Sequence, residues 1–229
     1  MIQELSNWKS LRRFDKVLLL EKLANHPLKE IIIETLAEEI RKDIESFILD
    51  HDLFYLINSF DISIDVDDFL SICEHGTLET LEELIPRVKQ FKDGYLVIEP
   101  RDQTDLIFCC SEGDLSIVDD KVRFLLSVFD KIYQDTVKKI FEFTTLCAND
   151  IAEFNDKMTF RAKIALIKRL LDPDILDQVV NNIPRNQLRT IISECFVNFC
   201  ICNKCEVLNF VFDLYDKKKE EVKEKIRDL

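Results

Sequence analysis

Glycine and proline are both scarce in this chain of 229 residues, which contains three glycines and five prolines. Tight β-hairpins, phosphate-binding loops and sharp active-site turns depend on glycine, because glycine adopts positive φ without strain. The near absence of glycine therefore argues against folds that need many such turns. It favours long helices joined by short polar connections.

The chain also lacks an excess of basic residues and a long apolar run. Its formal net charge is −13 at pH 7. This charge argues against a DNA or RNA binder and against binding to an anionic membrane, since both need a basic surface. The longest apolar runs, such as Val17 to Leu20, are far too short to span a bilayer. We therefore expect neither a nucleic-acid partner nor a membrane partner.

A secretory signal is not recognisable at the start of the chain, because Glu4, Lys9 and Arg12 interrupt any apolar stretch there. We therefore expect a cytoplasmic protein. The eight cysteines are then expected to stay reduced rather than to form disulfides.

Motifs for catalysis, cofactors or metals are missing from the sequence. The histidines are limited to His26, His51 and His75 and form no zinc-protease pattern, and no nucleophile-elbow or phosphate-loop motif occurs. We therefore predict that the protein is not an enzyme and has no catalytic residues, no cofactor and no metal.

One alternative is a zinc knuckle near the C-terminus, because reduced thiols are good zinc ligands. On one continuous helix the four sulfurs would not converge, so packing in the core is the favoured interpretation. The cysteines concerned are Cys195, Cys200, Cys202 and Cys205.

Apolar residues recur at spacings of three and four along the chain, which predicts helices from end to end. Two of the clearest sets are Ile33, Leu36, Ile40, Ile44, Phe47 and Leu115, Val118, Val122, Leu125, Phe129. The predicted fold class is therefore all-α.

One short segment has a different character. Asp93-Gly94 favours a turn, and the residues from Tyr95 to Ile98 favour an extended strand. Since no second strand is recognisable, we predict a protruding loop here.

Two segments in the middle of the chain, 68–81 and 105–118, align at a distance of 37 residues. In each, an apolar residue is followed by Cys four places later, by Gly three places after that, and by Leu two places further on. The residues are Phe69, Cys73, Gly76, Leu78 and Leu106, Cys110, Gly113, Leu115. A weaker copy runs through 199–208, with Asn203 in place of Gly, and 146–150 could belong to another. Internal repeats of this kind are typical of stacked helical arrays.

The pattern resembles the ankyrin repeat, in which a turn precedes a short helix with small residues and glycine leads into a longer helix. In this resemblance Thr104 to Ile107 stand at the first turn, with Asp105 in the place of proline. The pairs Ile72-Cys73 and Cys109-Cys110 stand at the small-residue positions, and Gly76 and Gly113 stand between the helices. Glycine there suits a left-handed helix end, and buried cysteine acts as a small apolar residue.

The resemblance implies an elongated, ankyrin-like helical solenoid in one structural domain. Residues 1–60 would form a helical N-terminal cap, 61–216 the repeats and 217–229 a charged C-terminal helix. It also implies a non-enzymatic protein–protein interaction scaffold. Degenerate repeats of this kind are similar to those of large DNA viruses and intracellular bacteria, which implies an effector that modulates host signalling from the host cytoplasm. The alternative is an irregular helical bundle that binds an amphipathic partner helix in a groove.

An acidic stretch extends from Asp61 to Glu83, with eight carboxylates and no Lys or Arg. The resemblance places the turns and first helices of the repeats at the binding face. We therefore predict that Asp65, Asp67, Asp68 and Asp105 bind a basic protein partner. A basic group in a later helix could form a second charged surface, and it comprises Lys157, Arg161, Lys163, Lys168 and Arg169.

Overall fold

The computed structural model describes residues 2–113, 117–169, 179, 183–184, 187–194, 209, 212–213 and 215–220. The protein is predominantly α-helical, so the prediction of an all-α protein is confirmed at this level. The helices are α1 (Ile2–Ser6), α2 (Arg13–Ala24), α3 (Lys29–Thr35), α4 (Glu38–Asp50), α5 (Val66–His75), α6 (Leu78–Leu84), α7 (Pro100–Glu112), α8 (Val118–Val128), α9 (Gln134–Phe143), α10 (Ala148–Ala152) and α11 (Phe160–Ile167). Residues 187–194 are also helical.

The chain divides into two compact units. The first comprises Met1–Leu96 and Cys109–Phe124, and the second comprises Val97–Phe108 and Leu125–Leu229. After Leu96, the two later boundaries between the units fall inside helices, between Phe108 and Cys109 in α7 and between Phe124 and Leu125 in α8.

Three helices begin at a constant interval. The first residues of α5, α7 and α9 are Val66, Pro100 and Gln134, which are 34 residues apart. Helices α5 and α9 have 10 residues each, whereas α7 has 13. Because α7 is three residues longer, its end lies 37 residues after the end of α5. The 37-residue spacing found in the sequence is therefore the distance between the ends of α5 and α7, whereas their starts are 34 residues apart.

The placement of Thr104 to Ile107 at a turn is wrong. These residues lie inside α7, which runs without interruption from Pro100 to Glu112. Proline is favourable at the first position of a helix, where its missing N–H costs no hydrogen bond. No glycine or proline follows until Gly113, so nothing in the local sequence stops the helix earlier.

Equivalent positions in the three helices have the same burial. The seventh residue is Ile72, Leu106 and Ile140 in α5, α7 and α9, and all three are fully buried. The fourth residue is also buried in each, although in α7 it is Gln103. The Gln103 amide donates to the carbonyl of Lys131 at 2.5 Å and accepts from Thr136 Oγ1 at 2.8 Å. The buried amide is therefore satisfied on both sides, as buried polar groups must be.

Each unit contains a helix pair closed by the same backbone bridge. In the first unit Ile64, just before α5, pairs in parallel with Val88 after α6. Its N–H donates to Arg87 O, and its carbonyl accepts from Lys89 N. In the second unit Ile132, just before α9, pairs with Met158 after α10 through the same two kinds of bond. The bridge brings the two ends of each helix pair together.

Gly76 and Gly113 follow the ends of α5 and α7, but their role differs from the one predicted. Gly76 has φ −77° and ψ 161°, so it is extended rather than left-handed. A Cβ atom on Gly76 would lie 2.5 Å from Ile72 O, and one on Gly113 would lie even closer to Glu74 O. Both glycines are needed because backbone approaches them too closely for a side chain. At Gly113 the close neighbour is the last turn of α5.

Lys121 is buried beside this contact. Only 1% of its surface is exposed, and its Nζ donates to Cys73 O at 2.8 Å. That carbonyl belongs to the last turn of α5, where a helix leaves acceptors without intrahelical partners. The ammonium therefore lies at the negative end of the α5 dipole, which favours a cation.

Cys73 and Cys110 are both fully buried in the first unit. Burial raises the pKa of the Cys73 thiol well above its usual value, and a hydrogen bond to Cys110 acts in the same direction. A thiol held protonated is a poor nucleophile. These two cysteines therefore serve packing, as the repeat predicted, whereas Cys109 is half-buried and Cys147 is exposed.

The predicted loop near Asp93 is instead a short hairpin. Strand β1 (Phe91–Lys92) pairs antiparallel with β2 (Tyr95–Leu96). Asp93 and Gly94 both have positive φ, at 52° and 85°, as a two-residue turn between strands requires. The partner strand was missed because it contains two residues and has no recognisable alternation.

The periodic set from Ile33 to Phe47 spans two helices. Leu36 has φ −73° and ψ 144°, so the chain is extended between the end of α3 and the start of α4. Apolar spacing continues across the break because Leu36, Ile44 and Phe47 are all buried. Leu115 of the other periodic set lies outside the described residues, as do the whole of the weaker copy at 199–208 and residues 221–229.

The contact at Gly113 predicts a large effect of one methyl group. Gly113→Ala should lower the free energy of unfolding by about 1–3 kcal/mol, because the added Cβ forces backbone to move. Urea denaturation of the whole chain would measure the change. Glu112→Ala is the matched control, since Glu112 is the exposed neighbour and should change stability by less than about 0.5 kcal/mol. Equal stability of the two variants would show that the contact at Gly113 is not tight.

Removal of the Lys121 ammonium should also destabilise the protein. Lys121→Met keeps the aliphatic stem but leaves Cys73 O buried without its donor, which should cost about 1–3 kcal/mol. Thermal and urea unfolding would measure the loss. Lys138→Met makes the same chemical change at a side chain that is 57% exposed and should be nearly neutral. A Lys121→Met variant as stable as the wild type would contradict this role for the ammonium.

Candidate partner-binding surfaces

Asp65 and Asp68 are brought together at the start of α5. The Asp65 carboxylate accepts from Asp68 N at 3.0 Å, and the Asp68 carboxylate accepts from Asp65 N at 3.2 Å. This reciprocal arrangement is a capping box, which satisfies backbone donors at a helix start. Both side chains are half-buried. Their first role is therefore to hold the beginning of α5.

The two carboxyl groups have opposite pKa shifts. The hydrogen bond from Asp68 N lowers the pKa of Asp65, because it favours the charged carboxylate. Burial raises the pKa of Asp68, with the nearby Asp65 charge adding to the effect. As the pH falls, Asp65, at the positive end of the α5 dipole, therefore keeps its charge to a lower pH than Asp68 does.

Asp67 differs from both neighbours because its side chain is exposed. Elsewhere in the acidic stretch several carboxylates already have partners. Asp61 pairs with Arg87, Glu74 lies 3.4 Å from His75 Nε2, and Glu83 accepts from the Asn58 amide at 2.5 Å. Glu79 and Glu82 are exposed on α6. The acidic surface available to a partner is therefore smaller than the sequence indicates.

Asp105 belongs to the second unit. It lies in the second turn of α7, where its carboxylate is 3.7 Å from Arg101 Nε. The Asp105 side chain is 49% exposed, so it is accessible but partly neutralised. It does not cap a helix, because α7 begins at Pro100, more than a full turn earlier.

The predicted basic group in the second unit is largely occupied by contacts within the protein. Lys157 Nζ donates to Ser127 O, Arg161 pairs with Glu194 at 2.6 Å, and the Arg169 guanidinium lies over the Phe141 ring. Burial lowers the pKa of Lys163. These basic side chains therefore make contacts within the second unit as well as contributing positive charge to its surface.

An apolar surface on α2 was not predicted from the sequence. Phe14 is 70% exposed, Leu18 is 38% exposed, and Tyr55 in the same unit is 60% exposed. The Tyr55 hydroxyl donates to Glu21 Oε1 of α2 at 3.0 Å. The available signal was the run Val17 to Leu20, since four consecutive apolar residues cannot all face the same side of a helix.

The part of the chain that the structure describes contains neither a metal-binding cluster nor a membrane-spanning helix. In the described ranges no group of three or more His, Cys, Asp or Glu is arranged to hold a metal ion. The four cysteines of the zinc alternative lie outside those ranges. Among the residues that the structure describes, no helix has both the length and the apolar composition to cross a bilayer.

The capping role of Asp65 predicts a pH-dependent effect. Asp65→Ala should cost about 1 kcal/mol of stability at neutral pH, through loss of the cap. Because the pKa of Asp65 is lower in the folded protein, the carboxylate contributes fully above its unfolded-state pKa, and this contribution is lost as the pH falls through the folded-state pKa. The difference between wild type and Asp65→Ala should therefore shrink in acid. Urea unfolding across the acid range would measure it.

Asp67→Ala is the control for this experiment, because Asp67 is an exposed carboxylate in the same turn of α5. Its stability should stay within about 0.5 kcal/mol of the wild type. A loss at Asp67 as large as that at Asp65 would argue against a specific cap.

Comparisons with known proteins identify no relative of this chain. No protein-family model matches the chain, no curated protein matches it, and no solved structure matches it.

Proposed function

We propose that the protein is a non-enzymatic scaffold that recognises other proteins through a degenerate, ankyrin-like array of helix pairs. The observation that carries the proposal is the 34-residue interval between the starts of α5, α7 and α9, with the same buried positions in each. Ankyrin units are about 33 residues long and each contributes a turn and two helices. Adjacent units of such arrays form extended surfaces suited to protein partners.

A second helical-hairpin repeat, the tetratricopeptide unit, has a period of about 34 residues. The extended residues that close the helix pairs favour the ankyrin-like alternative. Ile64 and Ile132 lie in extended backbone before α5 and α9, and each forms a backbone bridge to a residue that follows the helix pair. Tetratricopeptide units, by contrast, are plain helix–turn–helix repeats. The signature tryptophan of those units is also missing near α5, α7 and α9, since the one tryptophan of the chain is Trp8.

The binding residues in this proposal are those at the starts of the repeat helices. Asp67 offers an exposed charge, Asp65 and Asp68 fix the helix start that presents it, and Asp105 offers a second carboxylate on α7. A basic protein is the partner that these charges favour, because complementary charge speeds association and excludes acidic competitors. Action on host signalling as a viral or bacterial effector in the cytoplasm belongs to the same proposal.

The test is a capture experiment with variants that preserve the fold. Reversing Asp65 or Asp68 would break the capping box, so Asp67→Lys is the informative change. Tagged wild type and variant would be compared by quantitative mass spectrometry of proteins captured from candidate host cells. We expect at least one basic protein to be depleted about tenfold or more by Asp67→Lys, since apposed like charges cost several kcal/mol.

Glu34→Lys is the matched control. It makes the same charge reversal at an exposed residue of α3, outside the acidic stretch, and should leave that partner bound. The acidic-surface proposal is rejected if Asp67→Lys and wild type capture the same proteins in the same amounts. A parallel Asp105→Lys variant tests the second unit independently.

A further inference from the structure

Exposed apolar side chains are concentrated near the start of the chain. Nine large hydrophobic side chains are exposed in the described part of the chain, and five of them lie between positions 14 and 55. Single exposed apolar residues are normal, but a group of them marks an interaction surface. The most exposed of these nine is Phe14, at 70%.

Phe14 and Leu18 form one ridge on α2. They are four residues apart, so they lie on the same side of the helix and about 6 Å apart along its axis. The opposite side of α2 is used for folding, since Leu19, Leu20 and Leu23 are buried. The ridge is therefore not part of the core and remains exposed. Phe14, Leu18 and the side chains that line the depressions beside them form the α2 surface.

A depression lies on each side of Leu18. One has a volume of about 230 Å³ and includes Leu11 and Leu19, and the other has a volume of about 550 Å³ and includes Asn25 and His26. Leu18 and Lys22 line both depressions. Either depression has room for an aromatic ring, so the α2 surface offers both a projecting ring and a place to receive one.

The charge of this region differs from that of the rest of the chain. Residues 1–35 contain six Lys or Arg and five Asp or Glu, for a net charge of +1, whereas the whole chain has −13. Two copies of the protein would repel each other at most orientations. Contact through the first 35 residues avoids that repulsion, because this region has almost no net charge.

The charges along α2 also suit an antiparallel pair. Arg13 is exposed at the first helical position, and Glu21 lies near the other end. When two α2 helices cross head to tail near Val17, Arg13 of each copy approaches Glu21 of the other, and Phe14 approaches Leu18. Antiparallel helix dipoles add to the attraction. Lys16 does not interfere, because its Nζ is held over the Trp8 and Phe47 rings at 4.9 and 5.1 Å.

We propose that the α2 surface binds a second copy of this chain in an isologous, antiparallel contact, with Phe14 of each copy in a depression beside Leu18 of the other. The proposal rests on the same general role in protein association as the function above, but it uses a different surface. A two-fold contact needs one surface that is complementary to itself, and the α2 surface has the paired projection, depression and opposite charges that this requires.

The size of α2 sets the strength of the contact. A helix of 12 residues is about 18 Å long, which is small beside the surface of a permanent dimer. Contacts of less than about 1,200 Å² are typical of weak, reversible association. We therefore expect a dimer that forms at high protein concentration and dissociates on dilution.

Sedimentation equilibrium of the full chain over a range of concentrations tests the proposal. The wild type should show a monomer–dimer equilibrium, and Phe14→Ser with Leu18→Ser should weaken it about tenfold or more, as loss of a central apolar contact does. Both residues are exposed, so the double variant should keep the helical circular dichroism of the wild type. Val97→Ser, at a 51% exposed residue outside the α2 surface, should leave the dimer unchanged.

Salt separates this contact from charge-driven association. Salt screens the exposed Arg13–Glu21 pairs but does not weaken apolar contact, so most of the dimer should persist when salt is added. An association that is lost on adding salt would instead come from acidic and basic surfaces elsewhere, and would overturn the proposal. A wild type that stays monomeric at every concentration would overturn it as well.

A charge-swap series tests the antiparallel register. Arg13→Glu alone and Glu21→Arg alone should each weaken the dimer by up to about fivefold for each of its two symmetric Arg13–Glu21 pairs, the range of an exposed ion pair. The two changes together should restore it, because the carboxylate introduced at position 13 of one copy then meets the guanidinium introduced at position 21 of the other. Failure of the double variant to recover would refute the register. The α5 capture experiment reads a different surface, so either result is independent of the acidic-surface proposal.

Discussion

The close approach of the last turn of α5 to Gly113 constrains the residues around it, and much of the sequence pattern follows from this contact. Glu74 O lies so near that a methyl group would overlap with it. Small, fully buried thiols at Cys73 and Cys110 fill the space beside this contact. Lys121 then supplies a donor to the Cys73 carbonyl. Gly113, the two cysteines and Lys121 thus all contribute to the packing at this one contact.

This constraint explains which part of the architecture could be predicted from the sequence. The 37-residue repeat was recognisable because a tight contact tolerates few residue types, so glycine and cysteine recur at helix ends. The 34-residue interval was hidden because helix starts tolerate many types. Asp65 caps α5 with its side chain, proline opens α7, and Tyr133 precedes α9 without a side-chain cap. A glycine pattern also cannot distinguish a close approach from a left-handed turn, which is why the reason given for Gly76 was wrong.

The candidate binding residues show a similar limit. The sequence shows the charges of Asp65, Asp67 and Asp68. It does not show that Asp65 and Asp68 cap a helix while Asp67 is exposed. The spacing of Asp65 and Asp68 matches the geometry of a capping box, although the usual pair is Ser or Thr with Glu. Exposure of Phe14 and Leu18 depends on which side of α2 the core occupies. A continuous apolar run such as Val17 to Leu20 does not determine that side.

The distribution of charge distinguishes the two contacts proposed for this chain. A surface that attracts a basic protein depends on long-range attraction, which salt screens and which mainly affects the rate of association. An apolar surface with little net charge depends on removing side chains from water, which salt does not oppose. Because the first 35 residues are nearly neutral and residues 61–83 are strongly acidic, contact through the first region should be less sensitive to ionic strength than contact through the second. The two proposed contacts, one with a basic partner and one with a second copy of the chain, therefore do not compete for the same residues.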